Sequence, residues 1–272
     1  MFPFFVIHPT TRPPVVTVAI ILLNCAVMLW MSRLPPSVQE QIVVEHGFVP
    51  QRVRQLSNPN LLVQVVMERQ VEVPRLRRLA IQQHEYQLPP SPRAVYASVF
   101  TSMFLHGGWL HLLGNMWFLW LFGGGIEDRL GHFLFAGFYL AGGLIAMTCH
   151  WAYEPDSAIP VIGASGAIAA VLGAYAVTFP FTRVRTLVFL LVFITFVDLP
   201  ALVVLGFWFL SQLLEALGAL RLGIGGGDAG IAFWAHVGGF VGGMILMPLV
   251  SRPPPPAPPE EDWHADLEHG FP

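Results

Sequence analysis

Residues 103–124 read MFLHGGWLHLLGNMWFLWLFGG, an apolar run that contains two histidines and one asparagine but no Asp, Glu, Arg or Lys. The run is long enough for one helix across a bilayer core, which needs roughly 20 residues. A polar side chain in such a helix is costly, so each one indicates a function. His111 and Asn115 are four residues apart and therefore share one helix face. His106 lies nearest the water, and we expect it to be a solvated cap outside any site.

The composition extends this interpretation to the whole chain of 272 residues, of which 54% are hydrophobic and 11% charged. A soluble domain carries about a quarter charged residues. The sequence therefore predicts a polytopic membrane protein in contact with the lipid bilayer, not a soluble enzyme. A net charge of -3 predicts no nucleic-acid partner. Cys25 and Cys149 lie in apolar runs without metal or redox spacing, so we expect no metal and no cofactor.

Five further apolar segments accompany the first, so the expected fold is an all-α bundle of six transmembrane helices. The six segments cover residues 14–31, 103–124, 133–151, 161–179, 200–220 and 230–250. The apolar stretch 187–220 is too long for one straight crossing of a core about 30 Å thick, and Asp198 and Pro200 interrupt it. We therefore expect residues 187–197 to lie at the membrane interface.

The predicted helices divide the chain into four regions. Residues 1–31 hold the N-terminus and the first helix, 32–97 a soluble loop insertion, 98–250 a core of five helices, and 251–272 a disordered Pro-rich acidic tail. Within the insertion, we expect an amphipathic helix near residues 61–73. The Arg residues of the short segments favour cytoplasmic N- and C-termini. In that orientation the short outside loops carry only Arg221, whereas the inside segments carry Arg12, Arg129, Arg183, Arg185 and Arg252. The long insertion lies outside the range of the rule, and its Arg33 and Arg93, close to helix ends, count against this orientation.

Polar residues recur near the first turns of the second, fourth and sixth helices. The fourth opens with Gly163-Ala164-Ser165-Gly166, and the sixth contains Trp234-Ala235-His236-Val237-Gly238-Gly239. Alternate helices run in the same direction, so these residues fall on one side of the membrane at similar depth. Taken alone, each residue has a structural explanation. Ser165 can donate a hydrogen bond to the backbone of its own helix, and Asn115 can donate one to a neighbouring helix. Their coincidence at one depth favours a shared site.

The residue types at this depth suit acyl transfer. A serine hydroxyl becomes a nucleophile when a base takes its proton, and His236 is suited to be that base for Ser165. The side chains of His111 and Asn115, with the backbone N–H of Ser165, can donate to an oxyanion. No acidic third member is evident. The sequence therefore predicts a Ser–His dyad.

Small residues at four-residue spacing predict that the fourth and sixth helices pack closely. The sixth helix has Gly238 and Gly242 in one row and Gly239 and Gly243 in another. The fourth has Gly166 four residues before an alanine. Such spacing lets the backbones of membrane helices approach each other. This approach would bring Ser165 to His236.

Three motifs together resemble the rhomboid family of intramembrane serine proteases. They are Gly163-Ala164-Ser165-Gly166, Ala-His-Val-Gly-Gly around His236, and His111-xxx-Asn115, and the resemblance covers residues 98–250. Residues 123–131 also resemble the family's turn after the second helix, closed by an acidic residue, Arg and Gly. Many members have a Trp-Arg pair shortly before that helix; the corresponding stretch here reads Tyr96-Ala97-Ser98-Val99, so that element is missing or replaced.

The resemblance implies a function as well as a six-helix fold. It implies cleavage of single-span membrane proteins by a serine endopeptidase. The orientation predicted above puts the cleavage near the outer membrane face, and the lack of Lys points to a plasma membrane. Ser165 would be the nucleophile and His236 the base, with His111 and Asn115 at the oxyanion.

Two alternatives remain open. One is an inactive rhomboid-like protein that binds membrane clients, although such a protein would be expected to lose Ser165 or His236. The other is an aspartyl protease that pairs Asp198 with Asp228 of Gly225-Gly226-Gly227-Asp228. The six-helix count places those two carboxylates on opposite sides of the membrane. A zinc protease would need a His-Glu-x-x-His motif, which the sequence lacks.

Overall fold

The computed structural model describes residues 1–6, 11–73, 78–190, 193–222 and 232–251. Most of these residues are helical. In chain order the elements are β1 (Phe2–Val6), α1 (Val15–Met31), α2 (Pro36–His46), β2 (Val63–Val73), β3 (Arg78–Leu88), α3 (Pro92–Thr101), α4 (Trp109–Leu130), α5 (His132–Tyr153), α6 (Ser165–Thr178), β4 (Arg183–Leu190), β5 (Phe193–Pro200), α7 (Ala201–Leu222) and α8 (Phe233–Val250). The expectation of an all-α chain is therefore wrong in part, because two regions form β-sheet. The expected tail at 252–272 lies outside the described residues.

The six predicted apolar segments correspond to α1 and α4 through α8. The largest difference is at α4, which begins at Trp109 because the chain before it forms a short 3-10 helix and a turn. Gly131, with a φ of 80°, then turns the chain directly from α4 into α5. Within the described residues, three helical stretches are long and apolar enough to cross a membrane: His132–Tyr153, Ala201–Gly218 and Phe233–Val250. Helices α1 and α6 are apolar but shorter.

Helix α6 is the centre of the bundle. Its residues from Gly166 to Ala176 are all buried, and α4, α5 and α8 pack around it. The surrounding helices expose large apolar side chains instead: Leu22, Leu113, Phe133, Leu214 and Leu249. A helix bundle that is apolar both inside and outside suits a lipid environment.

A three-stranded antiparallel sheet closes one end of the bundle. Strand β4 lies between β1 and β5, pairing Val184 with Val6 and Arg185 with Asp198. The segment 187–197, expected to lie at the membrane interface, belongs to this β4–β5 hairpin. Pairing satisfies backbone N–H and C=O groups that an isolated apolar segment would leave without partners. We call this end of the bundle the sheet end.

A second hairpin, β2–β3, replaces the amphipathic helix expected at residues 61–73. Val63 and Val65 are buried while Gln64 and Val66 are exposed, and this alternation is the period of a strand. The buried side chains join Val44, Val49 and Leu88 in a small apolar cluster of their own. That cluster holds the hairpin against α2.

The segment between α1 and α4 contacts the chain that leads into α6. Phe48 and Val161 form an antiparallel bridge with N···O distances of 3.0 and 2.8 Å. The backbone N–H of Gln51 adds a 3.0 Å bond to the carbonyl of Ser157. These contacts lie at the N-terminal end of α6, opposite the sheet end. The N-terminal end of α6 and the three-stranded sheet therefore lie at opposite ends of the bundle, as the alternation of helix directions predicts.

Candidate active site

Ser165 is the first residue of α6, and the turn before it is held by a glycine. Gly163 has a φ of 126°, a conformation that other residues rarely adopt. Its N–H donates a 2.9 Å bond to the carbonyl of Ser102, which ties the turn to the segment before α4. The first N–H groups of a helix have no partner within it, so the backbone at Ser165 keeps donors available.

His236 lies in the first turn of α8 and meets Ser165 directly. Its Nε2 is 2.7 Å from the serine Oγ, although 71 residues separate the two in sequence. The imidazole is 8% exposed, and the rings of Trp208 and Phe233 lie 6.0 and 6.3 Å from it. The side chain is thus confined on both sides and aimed at the hydroxyl.

Backbone contact between α6 and α8 makes this approach feasible. A Cβ added at Gly239 would collide with the carbonyl oxygen of Gly166, and one added at Gly243 would collide with the backbone of Ala170. The other row of glycines faces α5 instead. There, a Cβ at Gly238 would collide with Cys149, and one at Gly242 would lie 2.6 Å from Ile145 Cγ2. Gly166 itself also faces α5, where its Cβ would lie 2.7 Å from the Cβ of Ala146.

The polar face of α4 lies against the turn that precedes Ser165. A Cβ at Gly163 would lie 2.8 Å from the imidazole of His111 and 3.6 Å from Nδ2 of Asn115. The predicted oxyanion donors therefore flank the turn that carries Ser165. The absence of a side chain at position 163 leaves room for His111.

His106 belongs to this group, which corrects its interpretation as a solvated cap. It is 3% exposed, and its Nε2 accepts a 3.0 Å bond from Nδ2 of Asn115. Its ring also meets the ring of His111 edge to face, at a centroid distance of 5.1 Å. No spacing in the sequence indicated this contact, since His106 lies outside the helix that carries Asn115.

Helix α7 supplies a further residue that the sequence analysis missed. Nδ1 of His236 donates to Oε1 of Gln212 over 2.6 Å. Gln212 is a polar side chain in an apolar helix, and this is the sequence feature that could have marked it as functional. No periodicity or motif links it to His236.

A cavity of about 760 Å³ lies at the N-terminal end of α6. His111, Ser165 and His236 supply its polar groups, while Leu110 and Met147 add apolar surface. The cavity is partly open at the protein surface. Among the described residues, no group of three or more His, Cys, Asp or Glu side chains could hold a metal ion.

The acidic residues considered as an alternative site lie elsewhere. Asp198 forms an ion pair with Arg185 at 2.9 and 3.2 Å in the β4–β5 hairpin, at the sheet end. The hydrogen bond from Arg185 holds the pKa of Asp198 below its ordinary value. Its presumed partner Asp228 lies outside the described residues, as does the glycine-rich run before it.

Residues 123–131, the last two turns of α4 and the glycine that follows them, have a structural role. Glu127 accepts bonds from the backbone N–H groups of Val16 and Thr17, at 2.7 and 2.8 Å, and from Nδ1 of His132 at 2.6 Å. Asp128 accepts two further bonds from Thr11 and one from Arg12. The pair of carboxylates therefore anchors the start of α1 to the end of α4.

The sequence profile of the Rhomboid domain matches residues 93–253, more than half of the chain. The chain belongs to the rhomboid family. The expected family is thereby confirmed, and the chain is a multi-pass membrane protein. The match begins within α3 and includes every residue placed around the cavity.

Individual relatives are similar over shorter stretches. The mitochondrial presenilin-associated rhomboid-like protein of Mus musculus is 32% identical over 123 residues, covering 44% of this chain and 32% of that protein. The chloroplastic rhomboid-like protein 11 of Arabidopsis thaliana is 40% identical over 68 residues, covering 25% and 24%. The mitochondrial presenilin-associated rhomboid-like protein A of Danio rerio is 29% identical over 110 residues, covering 40% and 28%. The aligned parts thus span about a third or less of these relatives.

Proposed function

We propose that this rhomboid is an intramembrane serine endopeptidase that cleaves single-span membrane proteins. The observation that carries the proposal is the 2.7 Å contact between Ser165 Oγ and His236 Nε2 beside an open cavity. A serine hydroxyl needs a base within hydrogen-bond reach to become nucleophilic, and this distance lies within that reach.

The reaction proceeds by acyl transfer. Ser165 Oγ attacks the scissile carbonyl carbon while its proton passes to Nε2 of His236. The tetrahedral intermediate then collapses, the C–N bond breaks, and His236 returns the proton to the leaving amine. Water, activated by the same imidazole, attacks the acyl-serine ester and releases the second product with the free Ser165 hydroxyl.

The negative charge on the intermediate is met by donors from α4 and α6. Asn115 has a second amide proton beyond the one given to His106, and it supplies one bond. The side chain of His111 and the backbone N–H of Ser165 supply the others. Such donors act most strongly where the surroundings exclude bulk water.

We further propose that α1 and α4 through α8 all cross the bilayer, with residues 32–97 as a soluble insertion on the outer side. Helix α6 has 14 residues and is therefore about 21 Å long, less than the roughly 30 Å of a bilayer core. A central helix shorter than the bilayer core supports a position of Ser165 below the membrane surface, beside the cavity. The Arg distribution favours cytoplasmic N- and C-termini.

In this topology the enzyme meets its substrates in the lipid bilayer and cleaves them near the outer face. A plasma membrane is the expected location, and cell fractionation tests it against the mitochondrial and chloroplast locations in the relatives' names.

A fluorophosphonate probe tests the function most directly, because it reacts with an activated serine. Purified wild-type protein in detergent is expected to be labelled and to cleave a model single-span substrate, and Ser165→Ala is expected to lose both properties. Thr148→Ala is the matched control, since that hydroxyl bonds only to a carbonyl of its own helix, 2.8 Å away. A wild-type protein that neither labels nor cleaves would favour the inactive, client-binding alternative.

A further inference from the structure

Helix α7 carries a short chain of hydrogen bonds that runs toward His236. The hydroxyl of Ser211 donates to the carbonyl of Trp208 at 2.7 Å, and Nε2 of Gln212 donates to Oγ of Ser211 at 3.3 Å. The single hydroxyl proton of Ser211 is used in the first bond, so its oxygen can only accept from the amide. The amide nitrogen of Gln212 therefore faces Ser211, and the amide oxygen faces His236.

This orientation decides which nitrogen of His236 carries the proton. An amide oxygen only accepts, so Nδ1 of His236 must be the protonated nitrogen in the 2.6 Å bond to Gln212. In a neutral imidazole the other nitrogen then has a lone pair. That nitrogen, Nε2, is the one 2.7 Å from the hydroxyl of Ser165.

We infer that Gln212 is a positioning residue that completes a Ser165–His236–Gln212 relay across α6, α8 and α7. It holds the tautomer and the ring orientation that a general base for Ser165 requires. The inference rests on the proposed protease function and adds a third member to the dyad predicted from the sequence. A glutamine differs from the carboxylate of a serine-protease triad, because it orients the imidazole without stabilising its protonated form by charge.

Among the described residues, no helix other than α7 makes a hydrogen bond to Nδ1 of His236. The titratable groups that face it are His111 of α4 and His150 of α5, and α6 faces it with Ser165. Helix α7 adds the uncharged Gln212 and the ring of Trp208. The only hydrogen bond recorded at Nδ1 in the described structure is the one to Gln212.

Two substitutions separate orientation from packing. Gln212→Met keeps the length of the side chain and removes the acceptor, whereas Gln212→Glu keeps an acceptor and adds a charge. Glu215→Gln, an exposed position on the same helix, is the matched control. The assays are the steady-state cleavage of a single-span substrate across pH, the rate of fluorophosphonate labelling, and the melting temperature, all on the full chain in detergent.

We expect Gln212→Met to lower kcat and the labelling rate about tenfold or more, with KM and the melting temperature near the wild-type values. Gln212→Glu should restore most of the activity. It should also move the acid limb of the pH profile upward by about one unit or more, because a carboxylate favours the protonated imidazole. Glu215→Gln should match the wild type throughout.

Wild-type kcat and an unchanged pH profile in Gln212→Met would overturn the relay. So would a Gln212→Glu variant as inactive as Gln212→Met at every pH, since the loss would then come from packing. If the wild-type protein itself neither labels nor cleaves, the protease function fails and the relay with it. If the wild type is active and Gln212→Met has no effect, the relay is wrong while the protease function stands.

Discussion

The side-chain amide of Asn115 donates a 3.0 Å hydrogen bond to Nε2 of His106. One amide proton is used in this bond, and the second is left for another acceptor. Because Nδ2 lies beside the turn at Gly163, that acceptor would be an oxyanion formed at Ser165. His106 thus sets the rotation of the amide that the proposed reaction needs.

Replacing Asn115 by alanine is expected to lower kcat about 10²–10³-fold with little change in KM, the range for loss of one oxyanion donor. His106→Ala should have a smaller effect in the same direction, because the amide keeps its donor but loses its alignment. Steady-state cleavage of a single-span substrate checks both. Asn24→Ala is the control, since that amide bonds within its own helix at 2.8 Å. Wild-type kcat in Asn115→Ala would exclude the donor role.

Gly239→Ala is expected to lower both stability and activity. The added Cβ would collide with the backbone of α6 at Gly166, and overpacking of this kind costs about 1–3 kcal/mol. The helices would have to separate, which would pull His236 away from Ser165. Melting temperature and cleavage rate measure the two effects. Gly137→Ala on α5 is the matched control, because nothing lies within 4 Å of its added Cβ. If Gly239→Ala and Gly137→Ala had the same melting temperature and cleavage rate, the close approach of α8 to α6 could not be the cause of the loss.

Removal of the Glu127 carboxylate should destabilise the protein without touching the cavity. Glu127→Ala leaves the N–H groups of Val16 and Thr17 without their acceptor, at a cost on the order of 2–3 kcal/mol. Thermal unfolding in detergent measures the loss. Glu68→Ala, at an exposed position of β2, should leave the melting temperature unchanged. A Glu127→Ala variant as stable as Glu68→Ala would contradict the anchoring of α1.

Asp198→Asn is expected to leave cleavage unaffected. The bond from Arg185 keeps the pKa of Asp198 below its ordinary value, so the carboxylate stays ionised at neutral pH and loses its charge only as the pH falls through that lowered value. An aspartyl protease instead needs a carboxyl group that shares a proton with its partner. The measurement is cleavage by Asp198→Asn beside the wild type. Loss of activity with an unchanged melting temperature would revive the aspartyl mechanism.

The helices were largely predictable because apolar length is a local property. Helices α5 and α7 begin and end within two residues of the predicted segments. The two errors concern segments that form strands. The amphipathic helix expected at residues 61–73 is a strand whose side chains alternate between buried and exposed at residues 63–66. The hairpin at 183–200 also pairs with β1, about 180 residues earlier in the chain, and such a partner is not visible in the local sequence.

The sequence by itself determined the family, the apolar helices and the candidates Ser165 and His236, because these follow from residue types and the alternating directions of helices. Only the tertiary structure decided that His106 aligns Asn115 and that Gln212 holds Nδ1 of His236. Both contacts join polar side chains on different segments at no recurring spacing. Which side chains meet there depends on how far the helix axes approach and rotate, and the close packing of α8 against α5 and α6 sets both quantities.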